Sequence, residues 1–259
     1  MTPQYTPGID AIVDWYRQKR PSVFDDKIAF RDYHQCHPRT LFLKTLPPGA
    51  TVLDLGAGEG SLHIFRNWPS PARGDIKLYA YSLEKGKFFG SYEGYELGDW
   101  DRQPPEFGGM QFDAIFSAHF VEHIQQPGSL AAWAASHLKP GGRLFVEWPS
   151  EASLRAPTHD ELLSHGIDLQ PGNFLDDCTH LALPSTGMVH SSIRESGLEI
   201  EIAGTIRLPV FEGALLNVYR RNRDAVALLF AYWSFTGWCQ YVVANKYGPE
   251  PQPAPSAVR

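Results

Sequence analysis

The run Val52-Leu53-Asp54-Leu55-Gly56-Ala57-Gly58-Glu59-Gly60-Ser61-Leu62 constrains the fold more than any other part of this 259-residue chain. Residues of strand character lead into three glycines spaced every second position, and a helix is expected to follow. Glycines at such a joint let the backbone turn sharply and approach a ligand that a Cβ would push away. The unpaired N–H groups of the next helix's first turn face the same spot. The pattern predicts a nucleotide-type cofactor site at the end of the first strand of an open α/β sheet. The bland alternative is a tight strand-to-helix turn with no ligand.

The spacing narrows the choice of ligand. A dinucleotide fingerprint needs G-x-G-x-x-G, and its third glycine falls on Ser61. Asp54, two residues before the first glycine, would repel a diphosphate but suits a cationic, phosphate-free ligand. The net charge of −6, from 23 Lys+Arg against 29 Asp+Glu, argues against a nucleic-acid partner, which needs a basic face. Cys36, Cys178 and Cys239 form no CxxC pair, which points to a reducing compartment. The first twenty residues carry Asp10, Asp14, Arg17, Lys19 and Arg20 without an apolar h-region. The expectation is a cytoplasmic globular protein.

Apolar spacing predicts a helix over 8–20 and one or two more over 23–46, ended by Pro47-Pro48-Gly49. From Thr51 strands are expected at 51–55, 77–83, 95–97, 112–117 and 143–148, with a helix at 130–138, an order that argues for parallel βαβ units. A segment rich in Pro, His and Asp runs from about 149 to 183. A helix at 186–196 and strands near 199–206 and 215–220 complete the pattern. Ala225–Ala244 has no charged residue and many aromatics, and is read first as a packed, lid or dimer helix, second as a membrane-surface element and last as a membrane span. The expected division is a helical cap over 1–48, an α/β domain over 49–222 with an insertion at 149–183, an aromatic helix over 223–247 and a loosely ordered tail over 248–259.

Three motifs in order resemble the class I S-adenosylmethionine (SAM) dependent methyltransferases. They are Asp54-Leu55-Gly56-Ala57-Gly58-Glu59-Gly60, the stretch Phe112–Ile124 with Glu122-His123, and Leu138-Lys139-Pro140-Gly141-Gly142-Arg143-Leu144. The chain is similar to the small-molecule members, such as those of ubiquinone and menaquinone biosynthesis. The resemblance implies a doubly wound, mostly parallel, seven-stranded α/β sheet (Rossmann-like) with an antiparallel last strand, and SAM as cofactor.

It also implies site roles. Gly56, Ala57, Gly58 and Gly60 would pass under the amino-acid end of SAM, with Asp54 accepting from its ammonium or else fixing the turn. An acid usually holds the ribose at the end of the second strand. Here Ser82 takes that place, with Leu83 and Glu84 following, and either Ser82 or Glu84 could make the contact. Asp99 and Trp100 offer an acceptor and an aromatic face to the adenine, or form a surface turn. Ser117, Ala118 and His119 stand at the carboxyl end of strand four, where such sheets hold ligands. Tyr33 and His34 would close over SAM or pack on the sheet.

In Asn173–Leu181, His180 is a candidate general base with Asp176 or Asp177 orienting it, and His119 is a second candidate. A structural His–Asp pair is the alternative. Asp176, Asp177 and His180, with His159 or His165, match no defined metal motif, and no metal is expected. The activity implied is methyl transfer to an oxygen or nitrogen of a small molecule, a sugar or a lipid-like metabolite, with no nucleic acid, no membrane span and a possible homodimer. The rivals are a SAM-binding module without catalysis, a NAD-type oxidoreductase and a protein or tRNA methyltransferase.

Overall fold

The computed structural model of the chain describes residues 26–247. The helix expected over 8–20 and the tail from 248 lie outside the described residues. Before the sheet come α1 (Asp26–Cys36) and α2 (Pro38–Lys44). His37 separates them: its Nδ1 accepts the Arg39 N–H, and Pro38 opens α2 where a missing N–H costs nothing.

The α/β part then runs β1 (Thr51–Leu55), α3 (Leu62–Asn67), β2 (Lys77–Ser82), β3 (Gly94–Leu97), β4 (Phe112–Ala118), α4 (Ser129–His137) and β5 (Leu138–Pro149). It continues with α5 (His159–Ser164), α6 (Thr186–Glu195), β6 (Glu199–Thr205), α7 (Pro209–Asn222), α8 (Ala225–Thr236) and β7 (Cys239–Asn245). The strands form one seven-stranded sheet in the order β3-β2-β1-β4-β5-β7-β6. All pairs are parallel except those of β7, which is antiparallel to β5 and to β6. The order reverses between β1 and β4, and the crevice at that switch point is where open α/β sheets bind ligands.

Strand alternation divides the core. Leu53, Leu55, Ile115, Val146 and Trp148 face one side with Leu130 and Ala134 of α4 and Ile193 of α6. Val52, Leu78, Ala80, Phe116 and Phe145 face the other with Phe42 and Leu43 of α2 and Phe65 of α3. Phe116 and Phe145 stack there with ring centres 4.8 Å apart.

Two expectations are corrected. Leu215–Arg220, expected as a strand, lies within α7. Pro209 starts that helix, and Phe211, Leu215 and Val218 recur at helical spacing against Tyr33 and Phe230. Ala225–Ala244, expected as one helix, is α8 followed by β7. Gly237 ends α8 at a φ of +68°, a conformation glycine adopts without penalty, and the Val242-Val243 pair beyond it favours a strand. The segment 223–247 therefore supplies a strand inside the sheet and is not a helix set apart from it. At 12 residues α8 falls short of the roughly 20 needed to span a bilayer, and among the described residues no helix is long and apolar enough to cross a membrane.

A buried ion pair ties the first helices to the sheet. Arg39 of α2 grips Glu147 of β5 with Nε at 2.7 Å and a terminal guanidinium nitrogen at 2.6 Å. Glu147 is 1% exposed, so burial alone would raise its pKa, yet Arg39 and His119 hold it well below the ordinary carboxylate range. Removing one partner of such a pair strands a charge in low dielectric and costs about 3–5 kcal/mol. Arg39→Met is expected to lose stability of that order in denaturant unfolding, with part regained by adding Glu147→Gln. A loss near zero would show the pair to be dispensable.

Candidate active site

The glycine turn after β1 is braced from below. The Gly56 and Ala57 N–H groups both donate to the Tyr81 carbonyl of β2, at 2.9 and 3.0 Å. Gly56 has a φ of +74°, and a Cβ there would sit 2.6 Å from the Phe120 ring. The loop after β2 folds back over the turn: the Phe88 N–H donates to the Glu59 carbonyl at 2.9 Å and the Lys87 N–H to the Glu59 carboxylate at 3.0 Å. Gly86 passes so close to the Gly58 carbonyl that it too leaves no room for a Cβ. Backbone groups crowd this crossing, which explains Gly86; on the other side Gly58 is required by its φ of +50°, since a Cβ there would meet nothing within 4 Å.

A cavity of about 330 Å³ opens beside this turn. Its wall is made by Gly56 and Gly58, by Ser82 and Leu83 after β2, by Gly98–Asp101 after β3, and by His119, Phe120 and His123 after β4, with Thr179 entering from the 149–183 segment. The volume is that of a small-ligand site. Of the residues singled out from the sequence, Gly56, Gly58, Ser82, Leu83, Asp99, Trp100 and His119 stand on this wall.

The others lie behind or beside it. Asp54 is 4% exposed and accepts the Tyr92 hydroxyl at 2.7 Å. Ala57 packs in the core, and Gly60 lies against the Phe89 and Tyr92 rings. Glu84 is exposed in the loop after β2. Ser117 is fully buried, with its Oγ unpartnered, and Ala118 packs in the core. Tyr33 is buried among Leu215, Phe230 and Ala231, its ring edge against His37. His34 packs against Phe65, Trp68 and Phe230. His180 stacks on Phe174 behind Thr179, ring centres 4.3 Å apart.

Two placements bear on the chemistry. Trp100 is 5% exposed, enclosed edge-on by Tyr81, Phe120 and Trp133, with its indole N–H on Ser129 Oγ at 3.2 Å. Its contribution to the cavity is a rigid wall. His119 has a φ of +53°, rare outside glycine, so the surroundings must hold it there. Its Nδ1 lies 3.2 Å from Glu122 and its Nε2 3.2 Å from Glu147 and 3.7 Å from the Cys239 sulfur. Burial would lower its pKa, but Cys239, Glu122 and Glu147 together raise it well above the ordinary histidine value. The two carboxylates are the part that persists at neutral pH, because burial pushes the Cys239 thiol up to about 11. With both ring nitrogens carrying protons, His119 is a poor general base.

The sequence pattern does not mark Tyr81, Phe120, Ile124 or Thr179 as wall residues, and it offers His123 only within the Glu122-His123 motif. Phe120 carried a usable signal: an aromatic directly after the end of strand four falls at the switch point. Thr179 carried none, because it reaches the wall only through the path of the 149–183 segment.

Burial raises Asp54 to about 7, against the pull of the Tyr92 hydroxyl and Arg39. A raised folded-state value makes ionisation unfavourable to the fold. The associated stability is complete below the unfolded value near 4 and is lost as pH rises through 7. Asp54→Asn keeps an acceptor for Tyr92 and removes the titration. It is expected to gain on the parent protein by up to about 4 kcal/mol between pH 4 and 8, by denaturant unfolding at each pH. A constant difference across that range would contradict the shift.

A family model described as a methyltransferase domain matches residues 28–231. The ubiquinone biosynthesis O-methyltransferase of Marinobacter nauticus is 26% identical over 216 residues, spanning 78% of this chain and 85% of that protein. The solved structure of an S-adenosylmethionine dependent methyltransferase from Mesorhizobium loti superimposes with a TM-score of 0.52 at 14% identity, covering 80% of this chain and 96% of that one. An O-methyltransferase family protein from Burkholderia thailandensis gives 0.52 at 14% identity, covering 88% and 62%. At those identities the two structures speak for the fold alone. The glycine turn, the switch-point cavity and the strand order agree with the family match over most of the chain: this protein belongs to the methyltransferase-domain family and is a SAM-dependent methyltransferase of the class I fold.

Proposed function

We propose that the methyl acceptor is an oxygen or nitrogen of a small organic molecule, such as a sugar or a lipid-like metabolite. The observation that carries this reading is the extent of the cavity, which runs from Gly56, Ser82 and Asp99 at one end to His119, His123 and Thr179 at the other. Donor and acceptor would share it, the donor over the glycine turn and the acceptor towards the end of β4. The 149–183 segment would form the acceptor side, and the helices before β1 the cap. The relative named for O-methylation in ubiquinone biosynthesis supports an oxygen acceptor.

Bound SAM would supply the electrophilic methyl of its sulfonium and leave as the neutral thioether, and the cavity residues would hold an acceptor lone pair in line with it. Alignment within the cavity supplies most of the acceleration. Ser82 would meet the ribose, Asp99 the adenine amino group, and Gly56 with Gly58 the amino-acid end. A positive sulfonium beside the protonated His119 would be repelled by an isolated imidazolium. Here Arg39 and His119 are balanced by Glu122 and Glu147, so the cluster presents little net charge. An acceptor hydroxyl must also lose its proton. His180, whose Nδ1–H donates to the Phe174 carbonyl at 2.6 Å, keeps a lone pair on Nε2 but stands behind Thr179, so it would reach that proton only through a water or a shift of Thr179.

Calorimetric titration is expected to show micromolar binding of SAM and of S-adenosylhomocysteine and none of NAD. Gly56→Ala, whose Cβ would collide with Phe120, is expected to weaken SAM at least tenfold, and Ser82→Ala more than Glu84→Ala. Equal loss at Ser82 and Glu84 would move the ribose contact into the loop. Incubation with methyl-labelled SAM and mixed acceptors should place label in small molecules. Label confined to RNA or protein would overturn the acceptor class.

A further inference from the structure

On the same edge of the sheet as the glycine turn, a second cavity of about 460 Å³ opens where the ends of β5 and β6 meet the start of β7. Arg155 and Arg207 stand on its wall with Thr205, Gln240 and a single acid, Glu151. We propose that this cavity binds the phosphate group of a small phosphate ester, a ligand separate from methyl donor and acceptor.

The two cations lack counter-ions. Arg155 follows the single turn Glu151–Leu154, which Ser150 caps at the end of β5. Its side chain makes no hydrogen bond or ion pair among the described residues, and neither does the exposed Glu151 four residues earlier. Arg207 comes two residues after β6. Its Nε donates to the Ser234 carbonyl at 3.2 Å, which fixes the stem. A terminal nitrogen approaches Glu212 only to 4.0 Å, and that carboxylate oxygen already accepts the Ser234 hydroxyl at 3.0 Å. Like charges gathered on one wall repel, and an anion there removes the cost.

The remaining donors select the anion. The Ser150 hydroxyl donates to the Gly237 carbonyl at 2.6 Å, that of Thr186 to the Gln240 side-chain oxygen at 2.6 Å and that of Thr236 to the Tyr232 carbonyl at 2.8 Å. The Thr205 hydroxyl has no partner among the described residues. Two arginine forks and a hydroxyl offer more donors than the two oxygens of a carboxylate can take up, whereas a phosphate monoester presents three oxygens and up to two charges. Glu151 works against any anion, so its removal should tighten binding.

The body of the ester also has a place. Arg155 lines a neighbouring cavity of about 730 Å³, whose apolar wall is Leu154, Ala156, Leu162 and Ile167. Neither cavity shares a wall residue with the methyl-transfer cavity. Trp238, next to Gly237 on the second cavity, is buried with its ring centre 5.7 Å from that of His119 on the first. The site therefore stands whether or not the acceptor is the small molecule proposed above.

The test is calorimetry with phenyl phosphate in phosphate-free buffer, with and without saturating S-adenosylhomocysteine. One equivalent is expected to bind with a Kd below about 1 mM, unchanged by S-adenosylhomocysteine. Arg155→Gln and Arg207→Gln should each weaken it about tenfold or more, and Glu151→Gln should strengthen it. Arg155 has no contact to lose, so its variant tests binding apart from folding. Arg220→Gln, on the exposed side of α7, should leave the affinity unchanged as a control for net charge. No binding up to about 10 mM, binding that survives both arginine variants, or an equal loss with Arg220→Gln overturns the proposal. Displacement by S-adenosylhomocysteine would place the phosphate in the methyl-transfer cavity and overturn it too. Inorganic phosphate and benzoate should both bind more weakly than phenyl phosphate. Equal or tighter binding of the first would overturn the ester, and of the second the phosphate.

Discussion

The chain Arg39–Glu147–His119–Glu122 is the constraint on which the rest of the site depends. Four ionisable groups from α2, β5 and the turn after β4 meet out of water, with Glu122 and Glu147 essentially unexposed. Charges in such a setting persist only when every one is matched, because the desolvation penalty of each is several kcal/mol. Here the matching is geometric. Arg39 covers both oxygens of Glu147, and His119 spans the two carboxylates with its two ring nitrogens. His119 can do so only in the left-handed conformation it adopts, with its own N–H on the Glu147 carbonyl at 2.9 Å. The strain of that backbone and the cost of burial are offset together, or not at all.

The helices before β1 thereby become part of the site. α2 is a two-turn helix, too short to be stable alone. Phe42 and Leu43 bury its apolar side against the sheet, and Arg39 fixes its rotation by reaching the end of β5. α1 follows through His37, whose pKa burial depresses to about 3, leaving it neutral and able to accept the Arg39 N–H. Tyr33 then docks against α7 and α8, so the helices on both sides of the sheet's carboxyl edge share one apolar cluster.

The first half of the fold was legible in the sequence because its signals are local. Short, near-continuous apolar strands, a glycine turn and the Lys139-Pro140-Gly141-Gly142 break each declare themselves within a few residues. The second half was misread where a period had to be chosen over a short span. Leu215–Arg220 is a short, mostly apolar stretch that by itself fits either element, but the three-residue step from Leu215 to Val218 and the Phe211 before it belong to a helix. In Ala225–Ala244 the lack of charge hid a change of structure, since α8 and β7 are both buried, and Gly237 was the one local mark of the boundary. At the site, the glycines were legible because the turn puts Gly56, Gly58 and Gly60 in the left-handed region that favours glycine. Asp54 was legible as important, though it sits beneath the wall with Tyr92, a partner 38 residues away that no local pattern reveals. The meeting of His123 with His180 was hidden for the same reason, since it depends on Leu181 hydrogen-bonding back to the Glu122 carbonyl at 2.9 Å.

Five consecutive residues, His119 to His123, join the functions together. Phe120 lies over Gly56 and sets the roof of the glycine turn. His119 and Glu122 belong to the buried charge chain, while His123 turns to Thr179 and the 149–183 segment. Because the segment is a tight turn and not a long helix, no residue in it can shift without moving its neighbours. A change at Arg39 would therefore reach the cavity through Glu147 and His119, and a change at His180 would reach it through Thr179 and His123. With donor and acceptor placed as proposed, the two ends of the cavity would be coupled by this turn of five residues.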